Sequence, residues 1–223
     1  MNFLAHSLLG FGDDALVAGQ IAGDFVRGTD LSGLAPRIAL GVRMHRAIDA
    51  RTDAHPAVAA LRARFPTGLR RFAGIAIDVG LDRAVARDWD WATGLVRAGG
   101  ARGPSEAGAG PYGAPGPAPG LRAHAADVGR ALERAAPRLP ARLVRFAPHL
   151  VETMPTWETR AGVAATLGRL SRRSARFGPL AGAPAELERL EDEVAATLRA
   201  IWPGLADGAR DMLERHDRGS EGR

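Results

Sequence analysis

No stretch of this chain sustains the period-two alternation of apolar and polar residues, rich in β-branched side chains, that marks a strand. A segment able to bury an apolar face must therefore do so as a helix, and the expected fold class is all-α. Asn2 and either Asp13 or Asp14 are placed to cap helices over about 6–11 and 15–26. Pro36 fits the first turn of a helix reaching about Thr52, and His55-Pro56 restarts the chain. Thr67 is placed to cap a long helix over 68–88, followed by a short one around 89–96.

Residues 99–120 hold 8 Gly and 5 Pro in 22 positions, a composition that supplies neither a helix nor an apolar face. This is read as a loop. Helices resume over 121–136, 141–153, 157–174, 185–202 and 205–216, with prolines as punctuation. A length of 223 residues suits one domain. The expected organisation is N-terminal helices over 1–98, the Gly/Pro-rich loop over 99–120, and C-terminal helices over 121–217 completing the same bundle.

The chain has no cysteine, which excludes disulfides, thiolate zinc sites and cysteine nucleophiles. Any metal must bind through His, Asp or Glu. The apolar start MNFLAHSLL lacks a basic leader and carries His6, so it reads as mature protein. Nothing approaches the roughly 18 apolar residues of a membrane span, and the expected location is the cytoplasm. All 30 basic residues are arginine. Between Arg27 and Arg87 there are 11 of them against 5 aspartates, whereas 184–217 carries 9 acidic residues against 4 arginines. The basic half suits an acidic or phosphorylated partner. No recognition motif or aromatic stacking platform points to nucleic acid, and no segment points to a membrane.

That basic half also contains the unusual chemistry. His45 and Asp49 are four apart, so a helix presents a nitrogen and a carboxylate oxygen to one point. Asp78 and Asp82 have the same spacing beside Ile75, Leu81 and Val85. Two carboxylates on a partly apolar face repel one another and are costly to desolvate, a cost that a divalent cation removes. His6 and Asp24, each in an apolar setting, would add a neutral imidazole and a hard carboxylate, a donor set suited to manganese, magnesium or iron. Taken alone, His6 reads as a hydrogen-bonded core residue. Arg27, Arg43, Arg46 and Arg51 offer planar forks for phosphate oxygens. A metal with arginines suggests phosphoester hydrolysis. Trp89, Trp91, Trp157 and Trp202 read as core anchors, and Asp53 and His55 as a helix-end cap and a turn.

The stretches MNFLAH, GDFVRG, MHRAIDARTDAHP and RFAGIAIDVGLD, followed by Trp89, cover roughly the first 90 residues in order. In these the chain resembles the acyl carrier protein phosphodiesterases, an all-helical family similar to HD-type metal phosphohydrolases. The resemblance implies a single-domain bundle of that type and a manganese or magnesium site ringed by His6, Asp24, His45, Asp49, Asp78 and Asp82. Asp24, His45, Asp49 and Asp78 would be the catalytic members, with Arg27, Arg46, Arg51 and Arg83 on the phosphate. The implied reaction removes 4′-phosphopantetheine from holo-acyl carrier protein, an acidic partner that suits the basic segment. The chain departs from the family where Arg83 follows Asp82 in place of histidine, and where Gln20 stands in place of asparagine. Those departures keep two alternatives open: hydrolysis of a nucleotide or other small phosphodiester, and non-catalytic carrier binding by a degenerate site.

Overall fold

The computed structural model describes residues 3–98 and 120–221. The described residues are all-α, with no strand among them. The loop expected over 99–120 lies outside them except for Gly120. In chain order the helices are α1 (Phe3–Leu8), α2 (Asp14–Ala22), α3 (Pro36–Ala54), α4 (Pro56–Ala63), α5 (Thr67–Arg70), α6 (Ala73–Arg87) and α7 (Trp89–Ala98). They continue as α8 (Leu121–Ala135), α9 (Ala141–Thr153), α10 (Arg160–Arg172), α11 (Ala183–Arg189) and α12 (Glu191–Glu221).

Helix α2 is the inner element. It is buried from Leu16 to Ala22 and packs against α1, α3 and α8. The Asp13 carboxylate accepts from the Ala15 and Leu16 amides, starting α2 with a side-chain cap. Phe11 (φ 54°) and Gly12 (φ 74°) both take the left-handed conformation, which turns α1 back onto α2. Helices α2 and α3 then meet backbone to backbone. A Cβ on Gly19 would lie 2.3 Å from the Ile38 carbonyl oxygen, and one on Gly41 would lie 2.6 Å from that of Leu16. Only paired glycines permit so close a crossing, and it sets the end of α2 against the middle of α3.

Helix boundaries depart from the sequence reading where tertiary packing overrides local signals. The helix expected over 68–88 is divided into α5 and α6 at Phe72 (φ −109°, ψ 0°), a buried ring packed 6.0 Å from that of Phe177. Thr67 makes no side-chain cap there. The helix expected over 185–202 divides at Leu190 into α11 and α12, and α12 continues through Pro203 into the helix expected over 205–216. Proline removes an amide and crowds the carbonyl four residues back. The adjoining Trp202 is fully buried and donates Nε1–H to the Ala92 carbonyl at 3.0 Å, anchoring the helix next to the proline. No helix among the described residues is long and apolar enough to cross a membrane.

Candidate metal centre

The α2–α3 crossing brings three helices to one point. His6 from α1 and His45 from α3 stack with ring centroids 4.0 Å apart. Asp49, one turn beyond His45, bridges them: Oδ1 lies 3.1 Å from His6 Nε2 and Oδ2 lies 3.1 Å from His45 Nε2. Gly23, just past α2, lies flat against the His45 ring, where a Cβ would come within 2.2 Å of it. Asp24 follows, with Oδ1 3.5 Å from His45 Nε2. Ligand atoms of His6, His45 and Asp49 all lie within 4.8 Å of one another.

Gln20 decides which nitrogen of His6 faces the carboxylate as a base. Its Nε2 donates to the Leu9 carbonyl at 3.3 Å, so Oε1 is the atom 3.1 Å from His6 Nδ1. Nδ1 therefore carries the proton and Nε2 the lone pair. Burial holds the His6 pKa down at about 4, with the neighbouring His45 adding to the effect. A neutral Nε2 thus points a lone pair at Asp49 Oδ1 across 3.1 Å, and two acceptors at that separation repel unless a cation lies between them. Burial also disfavours a charged His45, but the carboxylates of Asp24 and Asp49 outweigh it and push its pKa up to about 9. Asp49 is held well below the usual carboxylate range, burial being overcome chiefly by the hydrogen bond from His45. Buried His45 Nδ1 has no hydrogen-bond partner among the described residues. Two imidazoles and a shared carboxylate with clustered acceptors fit a divalent cation, whose entry would displace the His45 proton.

The other expected ligands separate. Asp24 borders the cluster through His45 with its side chain half exposed. Asp78 is half-buried, and burial raises its pKa, with the charges of Asp49 and Asp53 adding to the rise. Asp82, expected among the ligands, caps α1 instead. Its Oδ2 accepts from the Leu4 amide at 2.9 Å and its Oδ1 from the Ala5 amide at 3.1 Å. Both oxygens are committed to a helix N-terminus, where a carboxylate also meets the positive end of the helix dipole.

Asp82 carries a prediction. Burial raises its pKa to about 7, although the two amides pull it down. The folded state therefore holds this proton more tightly than the unfolded chain. The associated stability is complete below about pH 4 and is lost as the pH rises through about 7. Asp82→Ala is expected to cost about 1–3 kcal/mol by stranding two buried amides and to flatten that pH dependence, with metal content unchanged. Thermal unfolding from pH 4 to 8 and elemental analysis check it, and loss of metal with full stability would return Asp82 to the ligand set.

The four arginines expected on phosphate also divide. Arg46 donates to the Val26 carbonyl at 3.0 Å, and Arg27 is exposed. Arg51 reaches across to α12, donating to the Gly204 carbonyl at 3.5 Å and lying over Gly208. Arg83 also turns to α12 and pairs with Glu191 at 2.8 Å. Arg83, expected on the phosphate, is thus turned away from the cluster, because the 100° step from Asp82 carries it onto the face that α12 covers.

Beside Asp24 and Asp78 opens a cleft of about 590 Å³. Its inner side is formed by Phe3, Phe25 and Asp78, and its outer wall by residues between Arg142 and Arg173, including Phe146 and Trp157. The sequence reading singled out none of these wall residues except Trp157, as a core anchor, and Trp157 is indeed buried.

Comparison with known proteins divides the chain along the same line. Residues 1–94 match the acyl carrier protein phosphodiesterase family. Proteins named acyl carrier protein phosphodiesterase from Yersinia enterocolitica (serotype O:8, biotype 1B) and Yersinia pestis are each 41% identical over 90 residues. One from Escherichia coli O139:H28 is 39% identical over 89 residues. These alignments take in 40% of this chain, and 46–47% of the relatives' own length. The chain thus spans about half the length of the curated relatives it matches. No solved structure matches it significantly. His6, Asp24, His45, Asp49 and Asp78 all lie inside the matched segment, and the outer wall of the cleft lies outside it.

Proposed function

We propose that this protein is a metal-dependent phosphodiesterase of HD-like type that removes 4′-phosphopantetheine from holo-acyl carrier protein. The observation that carries the reading is the convergence of His6, His45 and Asp49 on one point, with a neutral imidazole lone pair aimed at a carboxylate, inside the segment matched by the acyl carrier protein phosphodiesterase family.

His6, His45 and Asp49 would hold the cation, manganese or magnesium by the mixture of nitrogen and hard oxygen donors, with Asp24 and Asp78 adjoining. When bound, the metal would supply Lewis acidity toward a phosphoryl oxygen and acidify a water. The protein's own groups do the rest. Gln20 locks His6 in the tautomer that faces the cluster, and Gly23 keeps the His45 ring in register. Asp78, whose ionised form is disfavoured by burial, takes the proton that water loses as its oxygen bonds to phosphorus. The phosphorus–oxygen bond to the carrier serine breaks, and the serine oxygen receives that proton. Exposed arginines of the basic half, Arg27 and Arg43 among them, face an acidic carrier favourably.

One observation favours the second reading, a nucleotide or other small phosphodiester: the cleft wall lies outside the matched segment, so the group that enters can differ from that of the relatives. Protein purified without chelator is expected to carry manganese by elemental analysis and to release phosphopantetheine from holo-carrier, leaving the apo form detectable by mass spectrometry. Manganese without carrier hydrolysis, together with turnover of nucleotide esters, would move the assignment to the second reading. Protein that binds no divalent cation would overturn both.

A further inference from the structure

The cleft beside Asp24 and Asp78 has two kinds of wall. Phe3, Phe25 and Phe146 form a three-ring surface, with centroids 5.7 Å apart for Phe3–Phe146 and Phe25–Phe146 and 6.3 Å apart for Phe3–Phe25. Three guanidiniums line the same space. Arg142 lies over the Phe25 ring at 5.9 Å, Arg169 donates to the Thr166 hydroxyl at 3.2 Å, and Arg173 stands just past the end of α10. None of the three pairs with a carboxylate among the described residues. Arginines on the opposite flank are treated differently: Arg83, Arg87 and Arg160 all close on Glu191.

Guanidiniums that line a cleft without a paired carboxylate among the described residues are available to an anion that enters between them. Planar guanidiniums suit phosphate oxygens in particular. Apolar rings at 5.7–6.3 Å present a surface for an organic arm. Anion and arm must belong to one molecule for both walls to be used together, and Asp24 and Asp78 connect that molecule to the metal cluster.

We propose that this cleft seats the organic arm of the phosphodiester, with the arm against Phe3, Phe25 and Phe146 and its phosphate oxygens on Arg142, Arg169 and Arg173, so that α9 and α10 select the substrate while α1–α3 and Asp78 of α6 carry the chemistry. This rests on the phosphodiesterase reading for the identity of the arm. The binding site itself follows from the walls of the cleft. Selection then resides in residues 142–173, beyond the segment shared with the relatives.

The test uses 4′-phosphopantetheine as probe, with binding measured by isothermal titration so that the result does not depend on turnover. Wild-type protein is expected to bind it at one site. Phe146→Ala and Arg169→Gln are each expected to weaken binding at least tenfold with manganese content and Tm unchanged. Arg172→Gln, an exposed neighbour on α10 outside the cleft lining, is the control and is expected to bind as wild type. No binding by the wild type, or binding that Phe146→Ala and Arg169→Gln leave intact, overturns the proposal. Binding with these losses but no hydrolysis of holo-carrier supports the cleft assignment and counts against the phosphodiesterase reading instead. If Phe146→Ala fails to fold, Phe146→Leu, which keeps apolar bulk but loses the ring contacts, is expected to show the same direction of change.

Discussion

Asp49→Ala is expected to abolish metal uptake at the proposed centre while leaving the helices intact. Among the described residues, Asp49 is the one group that touches both imidazoles, at 3.1 Å each. Without it the stacked rings of His6 and His45 face each other with no shared carboxylate to balance a dication. Its removal is expected to lower manganese affinity by more than the roughly 10–100-fold that follows loss of a group standing behind a ligand. Gln20→Ala removes such a group and is expected to fall within that range, because His6 then loses the partner that fixes its tautomer. Elemental analysis after dialysis, with circular dichroism as the check on folding, measures both. Full manganese occupancy in Asp49→Ala would remove the centre described here.

The second large effect falls on stability. Gly41→Ala drives a methyl to 2.6 Å from the Leu16 carbonyl oxygen and 2.8 Å from the Gly19 Cα, and neither neighbour is a side chain that can swing aside. Overpacking of this kind costs about 1–3 kcal/mol. With backbone on both sides the upper figure is expected, a Tm fall of roughly 6–12 °C for a protein of this size. Manganese affinity is expected to fall with it, since separating α2 from α3 draws Gln20 and Gly23 away from the histidines. Gly94→Ala provides the contrast: it lies within α7, a Cβ there meets nothing within 4 Å, and a gain of about 0.5–1 kcal/mol is expected. Thermal denaturation of the two variants in parallel measures the difference. Equal Tm values would show that the crossing can relax.

The residues of this centre were legible in the sequence to unequal degrees. His45 and Asp49 could be paired from spacing because both lie on one helix, where four residues return to the same face. His6 read alone as a core histidine, and it is fully buried. Its second role depends on the left-handed turn at Phe11 and Gly12, which folds α1 onto α2 and has no periodicity to announce it. Gln20 stood out only as a departure from the family pattern, whereas its orientation between Leu9 and His6 gives it its work. Asp78 and Asp82 share a face as their spacing required. Their neighbours differ, and the amides that claim Asp82 belong to a helix expected to begin later than it does. Arg51 and Arg83 could not be assigned from local sequence, because their partners come from α12, more than 100 residues away along the chain. The all-α class was plain from the absence of alternation. The merging of two helices through Pro203 was not, since a buried Trp202 decides it.

The contact between Asp82 and the start of α1 has a dynamic consequence. First turns of helices near a chain end ordinarily fray, and their amides exchange with solvent almost freely. Here the Leu4 and Ala5 amides end on a fully buried carboxylate 78 and 77 residues away. Their exchange is therefore governed by release from α6 and not by local unwinding. Helices α1 and α6 are therefore expected to open together, so that His6 leaves the centre only when Asp82 releases the start of α1.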